Sequence, residues 1–173
     1  MKKINYSILF LIAVLSFIGC GSATREEGRH YEKSGRYSIA LLDSWEAVEM
    51  AGLRYKILMI IEDDGSGANI NFVDDIFAGD LSVYVDATID QLSTFFGQNM
   101  QITERSDFVT LKNLKGEKLV TNSFQNNVRV RQLFYMFSGN RKTITITGTV
   151  LENAGETYDE LFDRTVETFE WTR

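Results

Sequence analysis

The second half of the chain contains four strand-like segments in succession, and their short connections constrain the fold more than any other feature. The segments cover residues 102–111, 117–124, 128–137 and 143–150, with turn residues at 115–116, 126–127 and 139–140. Connections of this length join antiparallel neighbours, because a parallel pair needs a crossover of a dozen or more residues. The sequence therefore predicts an antiparallel meander of four strands.

The side-chain pattern of these segments predicts which faces are covered. Residues 133–137 (LFYMF) are apolar throughout, which is typical of a strand buried on both faces, although the same run would also suit an apolar ligand groove. Residues 143–150 place four threonines on one face and three aliphatic side chains on the other. We therefore expect this last strand to be covered on one face only.

The first half of the chain predicts further strands. Residues 37–41 alternate between apolar and small side chains and lead through Asp43-Ser44 to Trp45, whereas residues 54–62 are apolar on both faces. A turn at residues 63–67 and a partner strand at 70–73 follow. Together with the meander, these segments indicate an antiparallel sheet of about six to eight strands.

Two helices are predicted between and after the strands. The first has an apolar stripe at positions spaced by three or four, with Asp80 as N-cap and Gly97 as the stop. The second has an apolar stripe at residues 158–166, and capping-box patterns at 153–156 and 157–160 leave two possible starts. We predict a single α+β domain with helices packed on both faces of the sheet, a three-layer α/β/α arrangement.

The N-terminus has the pattern of an export signal. Lys2 and Lys3 precede an apolar run at residues 8–18, which is too short to span a bilayer and is followed by Gly19-Cys20. This junction resembles a lipobox, with Phe17 in place of the usual leucine. The resemblance implies a signal peptide at residues 1–19, cleavage before Cys20 and acyl chains on Cys20 that hold the protein to a membrane.

Residues 20–34 are polar and aperiodic, which predicts a flexible tether between the lipidated cysteine and a folded domain at residues 35–173. The only histidine, His30, falls in this tether, where a catalytic geometry is hard to hold, and Cys20 is the only cysteine. A Ser-His-Asp or Cys-His site is therefore not expected, and an intramolecular disulfide is excluded.

The charge balance limits the partners. The chain has a net charge of −6, and removal of residues 1–19 leaves 16 basic and 24 acidic residues, or −8. Nucleic acids and anionic lipid headgroups are bound through basic surfaces, so neither is expected as a partner of the domain as a whole.

The chain resembles the PsbP-like group of proteins. The similar features are the lipobox, the opening strand Tyr37-Ser38-Ile39-Ala40-Leu41 before Trp45, a central helix, and the close at residues 166–171 (VETFEW). The group includes a photosystem II subunit, DcrB-type lipoproteins and a Ran-binding relative. The resemblance implies an antiparallel sheet sandwiched by helices and a binding or assembly role without enzyme activity or a cofactor. The chain lacks the proline that usually precedes the tryptophan turn.

Few residues of the sequence suggest a metal-binding, catalytic or partner-binding site. Asp63 and Asp64, with Ser66 and Asn69, are weak candidates for a calcium site, since a hairpin turn selects the same residues for backbone reasons. Asp74 and Asp75 suit a carboxylate-pair hydrolase poorly, because neighbouring strand residues point to opposite faces.

Four basic residues surround the last predicted hairpin. They suggest either a solvated strand face or a site for an acidic partner or lipid headgroup: Arg129, Arg131, Arg141 and Lys142.

The sequence thus predicts a lipid-anchored, non-catalytic cell-envelope protein that binds a protein partner or assists a membrane complex. The alternative is a carrier or sensor of a small apolar ligand held between sheet and helix. Gly21 is not the aspartate that, by resemblance to enteric lipoproteins, retains proteins in the inner membrane. The outer membrane is therefore favoured over the inner membrane.

Overall fold

The computed structural model describes residues 28–32, 35–42, 45–48, 57–61, 67–125, 127–139 and 141–172. The predicted signal peptide, Cys20 and the turn with Asp63 and Asp64 lie outside these residues. Within the described part of the chain, no helix combines the length and the apolar composition needed to cross a bilayer.

The described elements alternate between strands and two α-helices. In chain order they are β1 (Arg29–Tyr31), β2 (Tyr37–Ala40), β3 (Glu46–Val48), β4 (Ile57–Ile61), β5 (Gly67–Asp75), α1 (Leu81–Phe96), β6 (Met100–Val109), β7 (Lys115–Gln125), β8 (Val128–Gly139), β9 (Lys142–Leu151), α2 (Gly155–Glu167) and β10 (Glu170–Trp171). Single 3₁₀ turns follow α1 (Gly97–Asn99) and precede α2 (Glu152–Ala154).

The large sheet has seven strands in the order β3-β4-β5-β9-β8-β7-β6, and all of its pairs are antiparallel. The predicted meander is confirmed, because β6, β7, β8 and β9 are consecutive neighbours. β8 lies inside the sheet, and all five residues of the run 133–137 are buried. This run is therefore core, as its continuous apolar pattern favours.

The predicted turn at residues 115–116 is wrong. The chain turns at residues 110–114 instead, and both Lys115 and Gly116 pair within β7. Gly116 is a packing residue, since a Cβ atom there would lie 2.5 Å from the ring of Phe137. Glycine in a strand thus reflects close packing here rather than a change of chain direction.

The sheet lies between two layers, as predicted. One face packs with α2 and the small sheet, in a core that includes Leu133, Tyr135 and Phe137 from β8. The other face packs with α1, and Phe134 and Met136 of β8 join that second cluster. Successive side chains of one strand therefore enter different cores, which explains why β8 has no polar position in this stretch.

The threonine face of β9 is covered, contrary to expectation. Thr143, Thr145 and Thr147 are all buried. The hydroxyl of Tyr84, which lies on α1, is 3.2 Å from that of Thr145, and Thr143 lies 3.3 Å from the Ser138 hydroxyl. Threonine hydroxyls can be buried when they find hydrogen-bond partners, as they do here. The alternation of threonine and aliphatic residues in β9 therefore does not show that both faces of the strand are packed.

The two helix starts were predicted with different success. Asp80 caps α1, and its carboxylate accepts a hydrogen bond from the Ser82 amide at 3.1 Å. α2 begins at Gly155, between the two predicted starts, and its N-cap Ala154 makes no side-chain hydrogen bond. The 3₁₀ turn at Glu152–Ala154 takes the place of the extra helical turn that the first capping box predicts.

The predicted boundary at residue 35 is too late. β1 pairs with β2 in a three-stranded sheet of order β1-β2-β10, and His30 lies opposite Ile39 with its ring 6.5 Å from that of Phe72. The prediction that His30 belongs to a flexible tether is therefore wrong. Backbone pairing requires no apolar periodicity, so the polar sequence of β1 gave no signal.

Candidate functional site

A groove of about 410 Å³ opens at the end of the large sheet where β7 and β8 are joined. It lies between the 3₁₀ turn that follows α1 and the 3₁₀ turn that precedes α2. Its lining is mostly polar: Gln98, Asn99, Met100, Gln101, Asn122, Ser123, Phe124, Arg129 and Glu152. The lining residues come from four separate stretches of the chain, 98–101, 122–124, 129 and 152, so the tertiary fold assembles the groove.

The first wall of the groove is set by the end of α1. Gly97 closes the helix with a φ of 54°, a left-handed value that favours glycine, and its amide donates to the Ser93 carbonyl. The following residues then enter β6, where Met100 pairs with Ser123 and Gln101 with Asn122. This pairing places side chains from the end of α1 beside those from the end of β7.

Two arginines of β8 have different roles at the second wall, and of the two only Arg129 lines the groove. Arg131 makes a two-pronged contact with Asp159 of α2, at 3.0 and 2.6 Å, and also donates to the Asn122 side chain at 3.2 Å. Arg131 therefore orients Asn122. Arg129 is three-quarters exposed and reaches Glu152 at 3.5 Å, so it is loosely held. Arg129 is the only cationic residue among those that line the groove.

A hydrogen-bonded row of side chains runs from the groove across the α1-facing side of the sheet. The Gln125 amide donates to the Ser123 hydroxyl at 2.8 Å and to Gln132 at 3.0 Å, and Gln132 donates to Thr149 at 3.3 Å. The row links β7, β8 and β9. It stiffens the floor behind the groove, because polar side chains that satisfy one another hold fixed rotamers.

The basic residues of the predicted cluster lie at two ends of the β8–β9 hairpin. The register pairs Val130 with Leu151 at one end and Gly139 with Lys142 at the other. Arg129 and Arg131 are thus separated from Lys142 by the length of β8, roughly 30 Å at 3.3 Å per residue. The interpretation of these four residues as one basic patch is wrong. Residues of the same hairpin can lie at its opposite ends, even when they are close in sequence.

Asp74 and Asp75 contact different partners, as expected for neighbours in a strand. Asp74 accepts from Arg36 at 2.6 Å and Lys142 at 2.9 Å, whereas Asp75 accepts from the Tyr84 hydroxyl at 2.7 Å. Burial by itself raises the pKa of Asp74, but these hydrogen bonds and the two positive charges outweigh it and lower the pKa below its ordinary value. The pair is structural in this geometry.

Two tyrosine hydroxyls near the helices, those of Tyr135 and Tyr84, are held in their neutral form. Burial, followed by the nearby Asp163, raises the pKa of Tyr135 far above its ordinary value. Burial is also the largest influence on Tyr84, whose pKa rises to about 12. Both phenols therefore act as hydrogen-bond donors to carboxylates at neutral pH, and they fasten α2 and α1 to the sheet.

Metal binding gains no geometric support in the described part of the chain. No group of three or more histidine, cysteine, aspartate or glutamate side chains comes together there. Asp63 and Asp64 lie outside that part, and the calcium hypothesis for them stays a prediction. The same holds for lipidation of Cys20.

Sequence reasoning missed the groove. Its only signal is the dense run of amide side chains after Gly97 (QNMQ), which resembles an ordinary polar connection. Asn122, Arg129 and Glu152 are distant in sequence from this run, and only the strand register brings them to it. A single sequence carries no direct record of that register.

No protein-family model matches the chain, and no curated protein matches it either. Solved structures do. The cyanobacterial PsbP (CyanoP) of Synechocystis sp. PCC 6803 superposes with a TM-score of 0.60 at 15% identity, covering 89% of this chain and 98% of its own. The fold is PsbP-like.

Two further solved structures share this fold. The Saccharomyces cerevisiae Ran-binding protein Mog1p has a TM-score of 0.59 at 9% identity, covering 83% of this chain and 94% of its own. LpqN of Mycobacterium tuberculosis, involved in cell envelope biogenesis, has a TM-score of 0.56 at 13% identity, with 84% and 90% covered. Identities this low concern the fold, and they confirm the PsbP-like architecture expected from the sequence.

Proposed function

We propose that the chain is a lipid-anchored, non-catalytic protein of the bacterial cell envelope whose PsbP-like domain binds another protein and assists an envelope or membrane complex. The groove between the two 3₁₀ turns carries the proposal. Two of the proteins that share the fold have names consistent with it, namely a Ran-binding protein and a protein of cell envelope biogenesis.

The groove has the chemistry of a polypeptide site. Four carboxamides line it, Gln98, Asn99, Gln101 and Asn122, and each offers both donors and acceptors. A backbone segment of a partner presents the same alternation of amide and carbonyl groups. Small apolar ligands prefer pockets lined mainly by hydrophobic side chains, which this groove lacks.

The rim of the groove carries exposed apolar and arginine side chains, which are typical of protein interfaces. Phe124 and Val128 are large apolar side chains that remain exposed at this end of the sheet. Arg129 stands beside Phe124 in the partner strand. Aromatic residues and arginine are enriched where proteins bind one another, because they combine a large contact area with directed hydrogen bonds.

Three partly buried carboxylates among the described residues are held in structural contacts. Asp74, Asp159 and Asp163 accept hydrogen bonds from Lys142, Arg131 and Lys118, respectively. None of these three lines the groove. The carboxylate that does line the groove, Glu152, is paired with Arg129 at 3.5 Å and has no second acid or base beside it in the lining, which supports the proposed non-catalytic role.

The membrane anchor rests on the sequence pattern that ends at Cys20. Substitution Cys20→Ala tests it. We expect the wild-type protein to begin at Cys20, to exceed its polypeptide mass by the acyl chains and to stay in the membrane fraction, whereas the variant loses all three properties. A native protein that begins at Met1, or that has only its polypeptide mass, would contradict the anchor.

Site-specific photo-crosslinking in intact cells tests the partner. A photoreactive amino acid at Phe124 should give a discrete adduct with an envelope protein, and Arg129→Glu in the same chain should reduce that adduct. Ala87, an exposed position on α1 outside the groove, is the matched control. Identical adducts from both positions, or none from Phe124, would overturn the groove as the binding site.

The alternative, a carrier of a small apolar ligand, is favoured by one observation on the α1 side. Val85 is the only buried residue of that helix, and four apolar residues of α1 pack around it while staying partly exposed. A lipid-like molecule beneath α1 would complete their burial. Native mass spectrometry of the purified protein distinguishes the two functions, because a carrier retains a bound molecule and a ligand-free protein argues against it.

A further inference from the structure

The turn between β6 and β7, residues 109–115, presents apolar and basic side chains together. Val109 is 49% exposed and Leu111 is 70% exposed. Lys112 and Lys115 are exposed beside them. Aliphatic side chains that stand clear of the surface next to lysines have the composition of membrane-surface segments.

The turn is firmly built. The Thr110 amide donates to the Leu114 carbonyl at 3.0 Å, and the Leu114 amide donates to the Thr110 hydroxyl at 3.2 Å. Asn113 adopts a φ of 59°, which closes the turn. Leu114 and Phe108 pack with the core, so the exposure of Leu111 follows from the geometry of an ordered turn.

The turn lies next to the point where the chain from Cys20 enters the fold. The Leu111 amide donates to the Glu167 carbonyl at 2.7 Å, and Arg29 donates to the carbonyl of the next residue, Thr168, at 2.8 Å. Residue 111 and β1 are therefore attached to successive residues at the C-terminal end of α2. Gly28 is the first described residue before β1.

The reach from the predicted anchor is short. Seven residues separate Cys20 from Gly28. The eight residue steps from Cys20 to Gly28 span at most about 28 Å when the chain is fully extended, at roughly 3.5 Å per step. An acylated Cys20 thus holds the side of the domain around Gly28, including the turn, close to the bilayer.

We propose that residues 109–115 rest on the bilayer surface, with Leu111 and Val109 entering the interface and Lys112 and Lys115 facing anionic lipid headgroups. This inference rests on the lipid anchor of the proposed function. The domain as a whole is acidic, so these lysines act locally. The nearest acidic pair on the two strands, Asp107 and Glu117, lies two register pairs from Val109 and Lys115.

The orientation has a consequence for the groove. The groove includes the far end of β7, and this strand has 11 residues. A strand of that length spans roughly 35 Å. Contact of the turn with the bilayer therefore holds the groove away from the membrane surface. In this position the groove meets the part of a partner protein that projects from the bilayer.

Depth-dependent fluorescence quenching tests this orientation on the full acylated protein in vesicles. Cys20 is the only cysteine and its sulfur is occupied by lipid, so Leu111→Cys introduces a single free thiol for an environment-sensitive dye. Val128→Cys, an exposed apolar position at the start of β8, opposite the far end of β7, is the matched control. The vesicles contain phosphatidylethanolamine, phosphatidylglycerol and a lipid with a nitroxide near the headgroup.

We expect the dye at residue 111 to lose most of its emission to the nitroxide lipid, and the dye at residue 128 to keep its emission. The double substitution Lys112→Glu and Lys115→Glu should reduce quenching at residue 111 while the protein still floats with the vesicles. Flotation without quenching at residue 111, or equal quenching at both positions, would overturn the orientation and leave the anchor standing. Failure to float, with a bare polypeptide mass, would overturn the anchor and the orientation together.

Discussion

The two helices cover opposite faces of the same sheet, yet they are attached in different ways. α2 has 13 residues and buries Tyr158, Phe162, Thr165 and Val166. α1 has 16 residues and buries only Val85. A longer helix with less buried surface gains less from the hydrophobic effect, so α2 contributes more to stability than α1.

The polar contacts repeat this difference. α2 is joined to the sheet by Lys118–Asp163 at 2.8 Å and Arg131–Asp159 at 2.6 Å, pairs that are mostly buried. The ion pair of α1, Arg105–Asp86, is exposed. Beneath α1 the sheet carries Thr121, whose buried hydroxyl has no hydrogen-bond partner in the structure. The α2 layer is therefore attached to the sheet more tightly than the α1 layer.

The largest expected effect is on the core beneath α2. Phe162 is fully buried, contacts the rings of Trp45 and Tyr158, and lies where a Cβ atom on Gly148 would approach to 2.9 Å. Phe162→Ala should lower the free energy of unfolding by about 3–5 kcal/mol. Ile89→Ala, on the half-buried stripe of α1, should cost about 1–2 kcal/mol. Urea denaturation measures both, and equal losses would remove the contrast between the helices.

A smaller effect is expected from the ion pairs. Lys118→Met keeps the side-chain length but leaves the partly buried Asp163 with only the Tyr135 hydroxyl. We expect a loss of about 2 kcal/mol, below the range for fully buried pairs because Asp163 is partly exposed. Arg105→Met on the α1 side should cost less than about 1 kcal/mol. A double-mutant cycle with Asp163→Asn would reveal whether the coupling exists.

The pH dependence of stability should change at the joint between the two sheets. Asp74 binds Arg36, which precedes β2, and Lys142 of β9, and its folded-state pKa lies below the ordinary value. Its ionised form therefore stabilises the fold above about pH 4, and this contribution is lost as the pH falls through the folded-state pKa.

Asp74→Asn should therefore destabilise the protein by about 1 kcal/mol at neutral pH. The difference from wild type should shrink as the solution is acidified. Thermal melts between pH 7 and pH 2 measure the trend. A difference that stays constant over this range would show that the ion pairs do not carry the stabilisation.

A similarly small effect is expected at the attachment of α1. Tyr84→Phe removes the hydrogen bond to Asp75 and the contact with Thr145, at a cost of about 1 kcal/mol. Hydrogen exchange should become faster for the amides of α1 while those of α2 keep their protection. Equal acceleration in both helices would indicate that the two layers open as one unit.

The sequence patterns located most elements because periodicity reports local burial. The predicted stripe of α1 lies within the observed bounds of Leu81–Phe96, and the predicted Asp80 cap and Gly97 stop flank those bounds on either side. Two errors share a physical cause. Gly116 was assigned to a turn and β1 to a tether, because glycine and polar residues indicate loops unless a neighbouring strand or ring requires them.

The candidate site was beyond sequence reasoning for a related reason. Arg129 and Arg131 were expected to act together with Arg141 and Lys142, but the register of β8 and β9 separates them and gives Arg131 to Asp159. Charge and hydrogen-bonding capacity are visible in a sequence, whereas the partner that uses them is not. Arg129 lines the groove, whereas Arg131 is engaged with Asp159 and Asn122.

The sequence alone determined the α+β class, the antiparallel meander and the two helices, because each depends on a repeat of apolar side chains along a short stretch of chain. The tertiary structure decided which of those side chains are close together. It joined β1 to β2, brought the residues after Gly97 to Glu152, and set the 109–115 turn beside the end of α2. These contacts depend on strand register and on the packing of distant segments, which local periodicity does not encode.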